Sequence, residues 1–467
     1  MNNNTIQKIS LFALLSFLLF SIAISQLSVV QSDSVWTLTE VVSTESTLNS
    51  DYPAIATSYD GDVYIVWSDV TDYNGAGDDI DIFFKSWNSQ TESWTSTEVL
   101  SDVCSNDSVR PVIAVDNSGN VHVSWTDMTE YSGCGNDSDI FYRKWTKVSS
   151  SWSAIEVVSS ESTEGSSMSA MVTDTKGNVH IVWGDITNLN GAGDDKDIFY
   201  KFWNSTTSVW NTTEVVSTNS TEYSGHNSLD VSDSSNVYIC WIDETDYYGA
   251  GDDMDVFYTF WNSTSSSWKT TEVVSDPSDG FSLYTALGVD SNDNIFISWI
   301  EYTSKYIIAC RVWNNTMYEW EDMVVVSSES TSASSMDPTL AVDKFNNVHI
   351  AWQDNSNILG AGGGDYDIFY KYLDATTDIW TTTQVVSTES TDGAYSAWLD
   401  VDGEGSVHVT WWDLTNYDSC GTDYDVFYKK LIDVLPVEEF SIVPIAISIS
   451  LLICTLVLVV KRKKRTV

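Results

Sequence analysis

The chain has 467 residues, 13% of them aromatic, and its formal net charge at pH 7 is −46. A surface this acidic repels nucleic acid and anionic lipid and attracts cations, so we expect no nucleic-acid partner. Its six cysteines are too few to form a disulfide framework.

The two ends of the chain predict secretion and anchoring. Residues 1–25 combine one charge, Lys8, with a short apolar run that ends in small residues, which is typical of a secretory signal peptide. Residues 441–460 form an uncharged apolar stretch long enough to cross a bilayer, and the tail at 461–467 is basic. Since positive residues favour the cytoplasmic side, everything upstream is predicted to lie outside the cell. Residues 432–440 form a short linker.

Tryptophan recurs with a fixed period through the predicted exterior part. One tryptophan ends a strand-like run in every unit, and the spacings are 58 residues four times, then 53 and 59. The series is Trp67, Trp125, Trp183, Trp241, Trp299, Trp352 and Trp411. A period of this length, with runs rich in β-branched and aromatic residues between turn signals, is typical of a β-propeller.

Each unit contains four strand patterns, which we name A to D in chain order. The D-type tryptophan occurs once before the first A strand, as Trp36, and is missing after the last C strand. The sequence therefore predicts an all-β fold over residues 34–431: seven four-stranded antiparallel blades, the last closed by the N-terminal strand. The B–C and D–A loops share one face, and the anchor leaves from the other, so the B–C/D–A face is predicted to point outward.

The B–C loops concentrate carboxylates and glycines. Several carboxylates within about ten residues are what Ca²⁺ needs as ligands. The candidate metal ligands are Asp72, Asp78, Asp79, Asp81, Asp194, Asp195, Asp197, Asp246, Asp252, Asp253 and Asp255. The competing interpretation is structural: each carboxylate accepts hydrogen bonds from loop N–H groups and shapes the hairpin. Both interpretations stay open.

The histidines carry no clear chemical signal. Four of the five occupy one strand-B position, which tyrosine or phenylalanine fills in the other units, so we expect them to pack in the core. These four are His122, His180, His349 and His408. The fifth, His226, is assigned to a D–A loop and given no role.

Two motifs carry a family resemblance over residues 35–431. Val-His-Ile-Val-Trp-x-Asp, at 179–185, precedes Asp-Ile-Phe-Tyr-Lys-x-Trp, at 197–203. These units resemble the sialidase-like, Asp-box-bearing propeller repeats of secreted microbial proteins. The resemblance implies a fold more than a chemistry. Sialidases use an arginine triad, whereas the exterior part has only Arg110, Arg143 and Arg311, with two in one unit, so no catalytic residue is assigned.

Three residues depart from the repeat and are candidate ligand-binding residues. Trp398 lies in an A strand, Trp412 follows a repeat tryptophan, and Glu301 replaces the first aspartate of a shortened loop in unit five. We expect a surface protein that binds an extracellular glycan or protein, with Ca²⁺ as a candidate cofactor. The alternatives are a glycoside hydrolase or lyase and a structural component of the envelope.

Overall fold

The computed structural model describes residues 33–251, 253–275, 280–331, 334–361 and 364–434, and in these ranges the regular structure is β-strand. The chain divides into two compact units. The unit Trp36–Leu431 is the propeller, and the other, Met1–Val35 with Ile432–Val467, lies almost wholly outside the described residues. The predicted signal, membrane span and basic tail therefore lie outside them too. Within the described ranges no helix has the length and apolar character needed to cross a membrane.

The blades number seven, as predicted, and each is an antiparallel sheet in the order A-B-C-D. The A strands are Ser50–Thr57, Ser108–Val115, Ser166–Thr173, Ser224–Val231, Ser282–Val289, Ser335–Val342 and Ala394–Val401. The B strands are Val63–Asp69, Val121–Asp127, Val179–Asp185, Val237–Asp243, Ile295–Tyr302, Val348–Asp354 and Val407–Asp413. The C strands are Asp81–Asn88, Asp139–Thr146, Asp197–Asn204, Asp255–Asn262, Tyr306–Asn314, Asp367–Asp374 and Asp425–Val434.

The D strand is not one continuous run. In every blade it is two short pieces that both pair with strand C. In blades one to six the pieces are Ser93–Trp94 and Glu98–Val99, Ser151–Trp152 and Glu156–Val157, Val209–Trp210 and Glu214–Val215, Ser267–Trp268 and Glu272–Val273, Glu319–Trp320 and Val324–Val325, and Ile379–Trp380 and Gln384–Val385. In blade seven they are Asp33–Trp36 and Glu40–Val41. The outermost strand has only one neighbour, so it tolerates an extra unpaired residue.

The repeat tryptophans form the core of the blades. Each is at most 1% exposed. In blade one the Trp67 indole Nε1 donates to Asp69 Oδ2 over 2.8 Å, and the same carboxylate oxygen accepts from Ser50 Oγ over 2.7 Å. Asp69 Oδ1 accepts from the backbone N–H of Thr71. One buried carboxylate thus joins the core ring to the start of strand A and to the B–C loop.

The N-terminal segment closes the ring, which confirms the prediction from the phase of the repeats. Glu40 and Val41 pair with Tyr428 and Phe427 in strand C of blade seven. That strand continues to Val434, so its last three residues overlap the predicted linker.

A buried lysine then joins this segment to blade one. Lys85 Nζ donates to Val42 O, Thr44 Oγ1 and Glu45 Oε2 at 3.0, 2.6 and 2.7 Å, and Lys85 is 4% exposed. Ring closure therefore depends on side chains as well as on the β-ladder.

Replacement of this lysine tests its contribution to closure. Lys85→Met keeps the length of the side chain but removes three charge-assisted hydrogen bonds, so we expect the free energy of unfolding to fall by about 1.5–3 kcal/mol. Urea denaturation followed by tryptophan fluorescence measures the change. Lys147→Met, on an exposed lysine, is the control and should change stability by less than about 0.5 kcal/mol. Equal losses in the two variants would contradict the role of Lys85.

Candidate functional site

The seven A strands share a distortion near the B–C/D–A face. In each, the register with strand B shifts after the second residue, as between Asp51 and Ala54 in blade one. The residue at the shift has a left-handed backbone, with φ between 45° and 58°, although in no blade is it glycine. These residues are Tyr52, Arg110, Met168, His226, Tyr284, Asp337 and Ser396. A left-handed conformation costs a residue other than glycine about 1–2 kcal/mol, and such strain concentrates at functional sites.

All seven left-handed residues line one cavity of about 390 Å³ enclosed by the seven A strands. We call this group of residues the axial ring. Strand A is the innermost strand of each blade, so its left-handed residue lies at the end of the central channel on the face formed by the B–C and D–A loops. The ring occupies one equivalent backbone position in seven copies, yet its side chains are chemically diverse. This geometry suits an asymmetric ligand held on the axis.

Basic side chains gather on one side of the ring. The Arg110 guanidinium lies 5.0 Å from the centre of the Tyr52 ring. Lys196, from the B–C loop of blade three, extends across Gly184 and donates to Ser167 Oγ over 2.8 Å. His226 packs against Tyr284 with ring centroids 4.1 Å apart. Burial, together with the charges of Lys196 and Arg110, lowers the pKa of His226 to about 4, so this imidazole is neutral at pH 7.

Two carboxyl groups at the channel mouth have raised pKa values: Asp337 in the axial ring and Asp51 next to it. Burial raises the pKa of Asp51 to about 6, with the charge of Asp69 adding to the rise and that of Arg110 opposing it. Burial also raises the pKa of Asp337 to about 6, against a hydrogen bond from Ser396 and the charge of Arg110. These two carboxyl groups therefore add little negative charge to the channel mouth below about pH 6, whereas at pH 7 both are largely ionised.

Aromatic side chains cluster in blades six, seven and one, next to the basic residues of blades two to four. Trp412, a predicted ligand residue, stacks on Tyr395 with centroids 4.7 Å apart and meets Tyr424 edge-on at 4.4 Å. Tyr52 of the axial ring lies 6.5 Å from it. Trp398, the second predicted tryptophan, lines the cavity and is 38% exposed. The structure thus brings both tryptophans to the channel mouth.

Glu301, the third predicted ligand residue, has a structural position. It is 1% exposed and accepts hydrogen bonds from Trp299 Nε1 and Ser282 Oγ over 2.8 and 3.1 Å. These contacts repeat those of Asp69 in blade one. The longer side chain keeps the bond to the core tryptophan where the B–C loop is short, so Glu301 has no surface to offer a ligand.

The predicted metal ligands fall into two groups. Asp72, Asp78, Asp194 and Asp246 are exposed, and Asp72 and Asp246 accept from Gly77 N and Gly251 N, as the structural interpretation expects. Asp252 lies outside the described residues. The other group points inward: Asp79, Asp195 and Asp253 are partly buried, and Asp81, Asp197 and Asp255 are at most 3% exposed. Nowhere in the described ranges do three or more His, Cys, Asp or Glu side chains converge on one point.

The four strand-B histidines lie in buried contacts near the A–B turns. His122 Nδ1 is 2.7 Å from the Tyr142 hydroxyl, and its Nε2 is 3.4 Å from Asp116 Oδ2. His408 repeats the arrangement with Tyr428 and Asp402. Such contacts anchor the turn, in agreement with the expected packing role.

Sequence reasoning missed Arg110, Lys196 and His226. Arg110 was counted only as part of an incomplete arginine triad, and His226 was assigned to a loop, whereas it lies in strand A. A signal was present: each axial-ring residue precedes its repeat tryptophan by 15 residues. Neighbouring units never share a residue type at this position, unlike the position of the repeat tryptophan.

Comparison with known proteins extends to the fold alone. No protein-family model and no curated protein matches the chain. A solved polysaccharide lyase of family PL25, an ulvan lyase bound to -[GlcA(1-4)Rha3S]-, has a TM-score of 0.56 at 10% identity, over 83% of this chain and 95% of its own. The polysaccharide lyase Uly1 has a TM-score of 0.52 at 10% identity, over 81% and 89%. The fold is shared with these lyases.

Similarity to a sialidase-related structure is weaker than similarity to the lyases. An intramolecular trans-sialidase from Ruminococcus gnavus is similar over 84% of this chain and 97% of its own, with 11% identity and a TM-score of 0.43. Since that score is low, we draw nothing about the site from it.

The strain in the axial ring is testable at Met168. A β-branched side chain is disfavoured at a left-handed position, so Met168→Val should lower the free energy of unfolding by about 1–2 kcal/mol beyond the loss from smaller size. Met171→Val, in the regular part of the same strand, is the matched control. Chemical denaturation of both variants measures the difference, and equal stabilities would show that Met168 is unstrained.

Proposed function

We propose that this protein binds an anionic extracellular glycan at the mouth of its central channel. The observation that carries the proposal is the mixed character of the channel mouth, with Arg110, Lys196 and His226 in blades two to four and Tyr52 and Trp412 in blades one and seven. Glycans combine polar and charged groups with apolar ring faces, so a site with both characters fits them.

The positions of the arginine and lysine side chains indicate a negatively charged ligand. The net charge of −46 repels anions, so a bound anion needs local positive charge. Most buried cations of the propeller bind neighbouring blades, as Lys85 does. Arg110 and Lys196 instead lie at the channel mouth, outside these inter-blade contacts. A carboxylate or sulfate of a sugar is the group that these cations recognise best.

Similarity to other proteins supports the glycan class. Two polysaccharide lyases share the fold with TM-scores of 0.56 and 0.52, and one of them is bound to -[GlcA(1-4)Rha3S]-. That similarity concerns fold at 10% identity, so it supports a ligand class and leaves the chemistry to this chain's own residues. Turnover by a lyase or hydrolase is the alternative, since a neutral His226 and carboxyl groups titrating near pH 6 are potential proton carriers.

The proposal includes an exterior location. We propose that residues 1–25 act as a secretory signal and residues 441–460 as a membrane span followed by a basic tail, so that the propeller lies outside the cell. Protease treatment of intact cells tests it: the propeller should be cleaved while the tail is protected.

Two substitutions test the binding site. Arg110→Ala and Lys196→Ala each remove a charged donor, so we expect affinity for oligogalacturonate to fall roughly 10- to 100-fold in each. Isothermal titration calorimetry measures this, with neutral oligosaccharides of equal length as the comparison. Lys176→Ala removes an exposed charge from an A–B turn on the other face and should leave affinity unchanged.

The same titrations include a search for product. Release of unsaturated or shortened saccharide that is lost in the Arg110→Ala variant would make the protein an enzyme at this site. Binding of the uronate ligand that is unchanged in both variants would show that the ring is not the glycan site.

Binding should also depend on pH. Between pH 5 and pH 8 Asp51 and Asp337 lose their protons, which adds negative charge at the mouth while His226 stays neutral. Affinity for a uronate should therefore fall as pH rises through about 6, by roughly three- to tenfold. Asp337→Asn cannot ionise, so its affinity should fall less and exceed that of the wild type at pH 8. A rise in affinity with pH would contradict this account.

A further inference from the structure

Two B–C loops each contain a pair of buried carboxylate oxygens without hydrogen-bond donors among the described residues, whereas in blades two and seven a single such oxygen, Oδ2 of Asp139 or of Asp425, lacks a donor. In blade one the paired atoms are Oδ2 of Asp79 and Oδ2 of Asp81, and in blade three they are Oδ2 of Asp195 and Oδ2 of Asp197. Asp81 and Asp197 are 2% and 1% exposed. Each uses its other oxygen, Oδ1, to accept from a serine of strand D, Ser101 or Ser217, over 2.6 Å. A buried carboxylate oxygen without a donor is costly, so these oxygens point to a missing partner.

The other blades show which space these oxygens face. In blade two the Cys134 thiol lies against the carboxylate of Asp139 and lowers its pKa, although burial raises that pKa overall. Cys420 lies against Asp425 in blade seven in the same way. Cys134 Sγ also donates to Thr129 O over 3.6 Å, and Cys420 Sγ to Thr415 O over 3.5 Å. A thiol therefore fills a small space between a carboxylate and a backbone carbonyl.

In blades one and three that thiol is replaced by a methyl group. The residues at the equivalent loop positions are Ala76 and Ala192, so no thiol occupies the space beside Asp81 or Asp197. The second carboxylate of each loop adds a further oxygen. Asp79 folds over Gly77 and Asp195 over Gly193, whose φ values of 131° and 128° suit glycine. Both acids therefore turn toward the inside of their loops.

The chemistry of this space identifies its occupant. It offers two carboxylate oxygens and, by equivalence with Thr129, the carbonyl oxygen of Thr71 or Thr187. All the donors are oxygen, the two formal charges are negative, and the described residues supply no cationic side chain to these oxygens. A hard divalent cation that also accepts water ligands fits such a set, and Ca²⁺ fits better than Mg²⁺ because its coordination geometry is flexible.

We infer that Asp79 with Asp81, and Asp195 with Asp197, each bind one Ca²⁺ inside the B–C loops of blades one and three. Of the eleven aspartates predicted as ligands, these four carry the inference. The ion of blade three would also fix Lys196, which lies between its two ligands in the chain. Binding of the metal does not require a glycan, so this inference is independent of the proposed function.

Titration of the purified full-length protein with Ca²⁺ tests the inference, with calorimetry for stoichiometry and Tb³⁺ luminescence as a second readout. Asp81→Asn and Asp197→Asn should each remove one ion, and the double variant should remove both. Asp137→Asn, in blade two where Cys134 fills the space, is the matched control and should remove none. We expect dissociation constants of about 10⁻⁴–10⁻³ M, as for extracellular calcium modules.

A second pair of variants separates loss of metal from loss of fold. Ala76→Cys and Ala192→Cys restore the thiol of blades two and seven without a change of charge. Each should remove one ion and leave the unfolding temperature in EDTA unchanged or higher. The inference is overturned if the wild type binds no Ca²⁺ at about 10 mM. It is also overturned if the double aspartate variant keeps the stoichiometry of the wild type, or if its loss of binding accompanies unfolding while the cysteine variants still bind.

Discussion

A buried carboxylate placed two residues after the core tryptophan organises each blade. In blade one, Asp69 accepts from the Trp67 indole, from Ser50 at the start of strand A and from the backbone of the B–C loop. The core tryptophan, the start of strand A and the B–C loop thus meet at one residue that is fully buried. Two residues after Ser50 the chain reaches Tyr52, the left-handed residue of the axial ring. The carboxylate therefore fixes the place at which each blade presents its variable side chain.

This arrangement separates what repeats from what varies. In blades one to five the tryptophan, carboxylate and serine hold the same contacts, so rigid surroundings support the left-handed residue. In blade six Ser335 keeps its bond to Asp354 but the Trp352 indole makes none within the described part of the chain, and in blade seven Ala394 takes the place of the serine. The cations follow the same division. Six of them occupy one strand-C position, four lysines and two arginines, and donate to a carbonyl of the preceding blade: Lys85, Arg143, Lys201, Arg311, Lys371 and Lys429. Arg110 and Lys196 lie outside that series, at the channel mouth.

The sequence predicted the scaffold well because the scaffold is periodic. The spacing of Trp67 and its equivalents determines the number of blades, and the early position of Trp36 predicts closure. Trp398 and Trp412 were identified because they interrupt the period. Arg110 and His226 do not interrupt it, and a β-bulge leaves no mark in composition, so their meeting around the axis became visible only when the ring closed.

The acidic loops show the opposite limitation. From composition all eleven aspartates are equal candidates for metal ligands. The structure separates exposed ones such as Asp78 from buried ones such as Asp81. Glu301 was singled out as a departure from the repeat, yet burial assigns it the scaffold role of Asp69. Which carboxylate binds a ligand depends on its burial and on its hydrogen-bond donors, and composition reveals neither.

The central claim is that the axial ring is where the ligand binds. The most direct measurement is a crystal structure of the protein soaked with a uronate oligosaccharide. We predict density over the channel mouth, with an anionic group within hydrogen-bond distance of Arg110 or Lys196 and a sugar ring against Tyr52 or Trp398. Density on the A–B/C–D face or along the outer D strands, with the channel mouth holding only solvent, would contradict the account.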